Sequence, residues 1–170
     1  IACCLQLNLS PKLIVNSLIK IQNPPGRSEL IDLEKISSKI IIDYAHTPDA
    51  LKNILKANTF RNKKPSLVFG CGGNRDKGKR KVMGKIAFEL ARKVIVTDDN
   101  PRNEKPQIIR SEILKYCPKA LEIPNRKEAI AEAIKNLEKN SILVIAGKGH
   151  EKIQILKHKT ISFDDLKIVK

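Results

Sequence analysis

Apolar and polar positions fall into two regimes along the chain. Residues 1–9 read "IACCLQLNL", an apolar helix entered part-way. Over residues 11–21 the apolar side chains Leu13, Ile14, Leu18 and Ile21 recur at helical spacing. Ser10 stands where a cap belongs, and Pro11 takes the first helical position, where a missing N–H costs nothing. "QNPPGR" then breaks the pattern, as a domain boundary or hinge does. Residues 29–36 alternate weakly, as a short strand would.

From Lys39 a regular alternation sets in. "KIIID" predicts a buried strand, and "TPDALKNILKA" a helix capped by Thr47 with Pro48 at its first position. "PSLVFG", "KVIVT", "ALEI" and "SILVIAG" predict further strands, separated by the helical segments "KRKVMGKIAFELA", "PQIIRSEILKY" and "NRKEAIAEAIKNLE". "KIQIL" and "KTIS" make a hairpin pair, and "ISFDDLKIVK" ends in a last helix. Strands alternating with helices at this spacing give an α/β fold with a mostly parallel, Rossmann-like sheet and helices on both faces. Ligands of such sheets bind beyond the C-terminal ends of the strands. "DYAH", "GCGGNRDKGKR", "DDNPR" and "GKGHE" all fall there.

Composition narrows the function classes without choosing among them. The 170 residues suffice for one sizeable core, 41% apolar and 30% charged, with no run near the 20 residues of a membrane helix. No basic leader or cleavage site opens the chain, so it does not begin with a signal peptide; it reads as the C-terminal part of a longer, cytoplasmic protein. Cys3, Cys4, Cys71 and Cys117 show no C-x-x-C spacing, and reduced thiols are expected. The net charge of +15 invites a nucleic-acid-binding module. Against it, the lysines are scattered and aromatic residues make up only 4%.

The motifs carry more. Gly73–Lys79 satisfies G-x-x-x-x-G-K, but Arg80 stands where a Ser or Thr must hold magnesium. Gly70 and Gly72 begin G-x-G-x-x-G, but Arg75 fills the third glycine's place. What remains is a glycine loop at a helix start with Arg75, Lys77, Lys79 and Arg80 around it, an anion site on physical grounds. A dinucleotide-binding oxidoreductase domain is the alternative such a loop keeps open. In "VTDDNPRNE", turn chemistry explains Asp-Asn-Pro but not the doubled acid or the arginine behind it. In "GKGHE" the glycines allow close backbone approach, and Glu151 can meet an ammonium. His46 and His150 have no third ligand at metal spacing. Together Arg75 and Arg102 with Asp99 and Glu151 suit an amino-acid-like ligand, guanidinium for its carboxylate and carboxylate for its ammonium.

"DYAHTPDAL", "GCGGNRDKGKR", "TDDNPR" and "AGKGHE", in this order, resemble the C-terminal domain of the Mur ligases, in particular the branch that adds 2,6-diaminopimelate during peptidoglycan assembly. The resemblance covers nearly the whole chain. It implies that residues 1–30 are the tail of a central ATPase domain and hinge, and 31–170 the amino-acid-binding domain. It also implies an ATP- and Mg²⁺-dependent ligase acting on UDP-MurNAc-L-Ala-D-Glu through an acyl phosphate, with no nucleic-acid or membrane partner. The carried-over diaminopimelate residues are Arg75, Asp99, Asn100, Arg102, Gly147 and Glu151; those for ATP are Arg27, Asp43 and His46. Lysine-adding relatives replace the arginine of "DNPR", so Arg102 argues for meso-diaminopimelate. The family's phosphate loop and its metal and lysine ligands have no counterpart in these residues. No catalytic residue is therefore expected here, and the other two domains are needed for activity.

Overall fold

Long β-branched runs flanked by amphipathic segments leave the chain one economical solution, a sheet buried on both faces. The computed structural model describes residues 1–21 and 23–170, without the side chain of Lys35; Gln22, first residue of the "QNPPGR" break, lies outside the described residues. In chain order the elements are α1 (Ala2–Gln6), α2 (Pro11–Leu18), β1 (Glu29–Leu33), a 3₁₀ turn at Glu34–Ile36, β2 (Ser38–Asp43), α3 (Pro48–Ala57), β3 (Ser66–Phe69) and α4 (Gly78–Leu90). Then come β4 (Val94–Val96), α5 (Pro106–Leu114), β5 (Leu121–Glu122), α6 (Arg126–Lys135), β6 (Ile142–Ala146), β7 (Ile153–Ile155), β8 (Thr160–Ser162) and α7 (Asp165–Val169).

The capping expectations hold. Ser10 accepts from the Leu13 N–H and Thr47 from the Ala50 N–H, each followed by proline at the first helical position. Helix α2 ends three residues before Ile21, and Ile19 and Ile21 are exposed. Helix α6 stops at Asn136, whose side-chain amide donates to the Glu132 carbonyl (2.9 Å) beside its own backbone N–H. Asparagine there competes for the carbonyl that would carry the helix on.

Six strands form the main sheet in the order β1-β2-β6-β3-β4-β5, all parallel except β1, which lies antiparallel on β2 with Glu29 opposite Ile42. Alternation along the strands splits the core in two. Ile41, Leu67, Phe69, Val94, Val96 and Val144 face α3, α4 and α5. Ile40, Ile42, Val68, Ile95, Leu143 and Ile145 face α6 and α7. Because β6 is inserted between β2 and β3, the connections diverge at its C-terminal end and open a crevice there. The β7–β8 hairpin stands beside that crevice as a separate two-stranded sheet. Among the described residues no helix is long and apolar enough to cross a membrane.

Candidate functional site

The four motifs meet in one cavity of about 460 Å³ at the C-terminal ends of β2, β3, β4 and β6. Of the expected residues, His46, Arg75, Asp99, Asn100, Arg102, Gly147 and Glu151 line it. Arg27 and Asp43 do not line it. A second cavity, about 280 Å³, sits at the opposite ends of the strands beneath α6 and includes none of the motif residues.

The glycine loop after β3 explains itself by what presses against it. A Cβ on Gly70 would sit 2.2 Å from the Thr97 carbonyl oxygen, and one on Gly73 2.0 Å from that of Pro101. The bare faces are therefore occupied by the loop after β4, not left open as a phosphate cradle. The Gly73 N–H donates to the Asn100 carbonyl (2.9 Å), and the Asn74 N–H to the Glu104 carboxylate (2.5 Å). The expected anion cluster at this helix start needs correction. Arg80 is fully buried and paired with Glu104 (2.9 Å) and Glu112 (2.8 Å), and Lys77 leans on Glu104 (3.8 Å). Asp76 takes the Gly78 N–H (2.8 Å), so an acid already occupies the helix start. Only Arg75, exposed, and Lys79, which donates to the His46 carbonyl (3.0 Å), still face the cavity. Arg80 instead braces the loop from behind and holds the Glu104 carboxyl below its usual range, chiefly through their hydrogen bond. Cys71 lines the cavity as an apolar wall, its thiol pushed up to about 12 by burial.

The loop after β4 resolves the doubled acid. Asp98 turns away to pair with Arg110 of α5, whereas Asp99, buried, accepts its neighbour Asn100's N–H (2.6 Å) and faces the cavity. Arg102 sits at φ +53°, a left-handed conformation that glycine adopts freely and arginine at a cost. Its Nη1 donates to the carbonyls of Gly73 (3.0 Å) and Asn100 (3.3 Å); among the described residues Nε and Nη2 have no protein acceptor. The hairpin locks this turn: the Arg102 N–H donates to the Ile155 carbonyl (3.1 Å), and Gln154 donates to the Asp99 carbonyl (2.7 Å).

After β6, Gly147 takes φ +114° with the Asp99 carboxylate against it, 2.8 Å from where a Cβ would stand. Glu151 accepts from Asn100 Nδ2 (2.9 Å) and Lys148 Nζ (3.2 Å) through the same oxygen, Oε2. Lys148 is fully buried and was missed in the motif reading; its only sequence signal is its place inside "GKGHE". Beneath them Arg126 and Asp165 form a fully buried pair, and Arg126 also donates to the Ala146 carbonyl (3.1 Å) at the end of β6.

The Arg27, Asp43 and His46 group stands at the cavity's edge. Asp43 accepts from the N–H groups of Ala45 (2.8 Å) and Ser28 (2.7 Å), fastening "GRSE" to the end of β2. The Arg27 guanidinium lies 4.4 Å from the Tyr44 ring centroid, and His46 and His150 pack on the same ring at 4.5 and 5.1 Å. His46 Nδ1 donates to the Tyr44 carbonyl (2.8 Å), which leaves Nε2 outward. Gly26 (φ +65°) and Gly149 (φ +52°) meet backbone to backbone: a Cβ on Gly26 would lie 2.3 Å from the Gly149 carbonyl carbon. Among the described residues no three His, Cys, Asp or Glu side chains gather to hold a metal ion.

The family model for the Mur ligase glutamate ligase domain matches residues 26–149. A Rickettsia conorii protein named UDP-N-acetylmuramoyl-L-alanyl-D-glutamate–2,6-diaminopimelate ligase is 49% identical over 92% of this chain and 33% of its own length. A Clostridium tetani protein of the same name is 42% identical over 100% of this chain and 36% of its own. A solved structure of a ligase of that name superposes with a TM-score of 0.78 at 36% identity, over 99% of this chain and 35% of the other. The chain thus spans about a third of the length of the curated relatives it matches. By the match over most of its length and by its sheet, this chain belongs to the Mur ligase family, as a glutamate ligase domain.

Proposed function

We propose that this chain is the acceptor-binding domain of a ligase that joins meso-2,6-diaminopimelate to UDP-MurNAc-L-Ala-D-Glu in the cytoplasm. In that reaction ATP phosphorylates the D-glutamate carboxylate; the acceptor amine attacks the acyl phosphate, and phosphate leaves as the amide forms. The chain's own part is to hold the amine's owner. Arg75 and Arg102 take carboxylate, while Asp99, Asn100, Glu151 and the Gly147 carbonyl surround ammonium. Arg27, Asp43 and His46 form the nucleotide-facing edge, with the Arg27 guanidinium free on the solvent side of Tyr44 for a phosphate. Among the described residues no cluster of carboxylates, imidazoles or thiols gathers to hold magnesium. In this reading the residues ahead of β1 belong to the preceding ATPase domain and hinge, because Glu29 and Leu30 already pair in the main sheet. The exposure of Leu7 (74%), Ile19 (80%) and Ile21 (66%) supports that, since a partner domain would cover them.

One observation carries the assignment of the amino acid. Arg102 occupies a backbone conformation suited to glycine, at a cost of about 1 kcal/mol. Its guanidinium nonetheless turns into the cavity with two nitrogens uncommitted. A residue kept there against local preference is kept for its side chain. Lysine ends in a bare ammonium and would leave Arg102 without a partner, whereas diaminopimelate ends in an ammonium and a carboxylate. A buried carboxylate without its arginine would be costly.

The test is Arg102→Gly in the full-length ligase carrying this domain. Relief of strain and the added backbone freedom of glycine nearly cancel, so the thermal midpoint should stay within about 3 °C. Losing hydrogen bonds to a charged group, about 1.5–3 kcal/mol, should lower kcat/KM for diaminopimelate on the order of 10–100-fold. The KM for ATP should not move. Unchanged diaminopimelate kinetics would refute the assignment.

A further inference from the structure

Lys148 is a buried charge that the motif reading leaves without a task. At 0% exposure its ammonium must be paired or lose several kcal/mol. Among the described residues its partners are Asn100 Oδ1 (3.1 Å) and Glu151 Oε2 (3.2 Å). Asn100 closes the triangle by donating Nδ2 to the same Glu151 oxygen (2.9 Å), and its Oδ1 also accepts the Ile155 N–H (3.0 Å). Only one arrangement satisfies these contacts. An ammonium donates only, so Asn100 must turn its oxygen to Lys148 and Ile155 and its nitrogen to Glu151. Both donors then claim Oε2. Among the described residues Oε1 has no protein partner, and Glu151 faces the cavity.

We propose that Lys148 is a positioning residue for the acceptor amino acid, pinning Glu151 by one oxygen and Asn100 by its amide orientation so that Glu151 Oε1 meets the incoming ammonium. This rests on the reading of the cavity as the diaminopimelate site. Lys148 does not line the cavity; it acts through Glu151 and Asn100. Without it Glu151 is held by Asn100 Nδ2 alone, and Asn100 itself loses one of the donors that decide its orientation.

The full-length ligase carrying this domain supplies the test. Lys148→Met keeps the stem and removes the charge; Lys148→Gln keeps a donor without the charge. Lys148→Met should raise the KM for diaminopimelate on the order of 10-fold, with kcat and the KM for ATP within twofold. Lys148→Gln should give a smaller rise in the same parameter. In a Glu151→Gln background the Lys148→Met change should add less than threefold, because its lever is already lost. A merely structural lysine would instead lower the active fraction and leave every KM in place. The proposal is overturned if Lys148→Met leaves the diaminopimelate KM within twofold while Arg102→Gly raises it, if the two changes at 148 and 151 multiply in full, or if both Lys148 variants fail to fold. A silent Arg102→Gly beside an active Lys148→Met would indict the Arg102 assignment and leave Lys148 standing. If both are silent, both fall.

Discussion

Asp165→Asn probes how the strand end beneath Gly147 is held. Arg126 opens α6, Asp165 opens α7, and both are wholly buried. The guanidinium donates twice to the carboxylate, Nε to Oδ1 (2.9 Å) and Nη2 to Oδ2 (2.7 Å), and once to the Ala146 carbonyl (3.1 Å). Among the described residues its Nη1 has no partner, so the charge is already short of acceptors. Asparagine keeps the shape but turns an N–H₂ toward one of the donors and removes the counter-charge. Breaking a buried pair in this way costs about 3–5 kcal/mol, a large share of the roughly 5–15 kcal/mol that holds a domain. For a chain of this size that lowers the thermal midpoint by roughly 6–20 °C. Urea unfolding followed by circular dichroism should show the midpoint falling with an unchanged slope. The paired replacement Arg126→Met with Asp165→Leu should recover most of the loss, since exchanging a buried ion pair for apolar contacts is often neutral or better. A single-variant loss below about 1 kcal/mol, or a double variant no better than the single, would refute the reasoning.

Two further outcomes follow from the loops. Gly73→Ala drives a Cβ into the Pro101 carbonyl, 2.0 Å away, so the loops after β3 and β4 must part. It should cost about 1–3 kcal/mol and weaken diaminopimelate binding by calorimetry on the full-length ligase, and undiminished affinity would count against the packing account. Glu104 contributes stability in one direction only: its folded carboxyl is held below the usual range, so the contribution is present above the unfolded value of about 4.3 and is lost as pH falls through the lower folded value. Urea midpoints of the parent should therefore fall more steeply with acid below about pH 4.5 than those of Glu104→Gln, and parallel curves would exclude it.

The alternation of strands and helices was legible because the central strands β2, β3, β4 and β6 are buried on both faces and the helices packed on them present an apolar stripe, so local pattern and global layer agree. Caps at Ser10 and Thr47 were readable for the same reason, their partners lying three residues away. The site was legible as a set of strand ends and illegible as a circuit. Nothing local says that Arg80 turns inward to Glu104 and Glu112, 24 and 32 residues on, instead of joining an anion site. Nor does spacing tell Asp98, claimed by Arg110, from Asp99, which faces the cavity. Lys148 drew no reading of its own, because Asn100, which meets its ammonium, lies 48 residues away in sequence. Arg80 already leaves the G-x-x-x-x-G-K match at Gly73 incomplete, but what that glycine's bare face serves shows only with Pro101 resting on it.

The seat of Gly26 on Gly149 works as a gear tooth. Main chain bears on main chain with no rotamer between them to give way, and the Gly26 N–H is anchored to Glu29 (2.8 Å) in β1. A displacement of the segment around Pro24 and Pro25 therefore arrives nearly undamped at residue 149, which lies between Lys148 and Glu151. Whatever displaces that segment also moves the main chain that carries Lys148 and Glu151, so the position of the chain ahead of β1 and the shape of the cavity are one variable, not two.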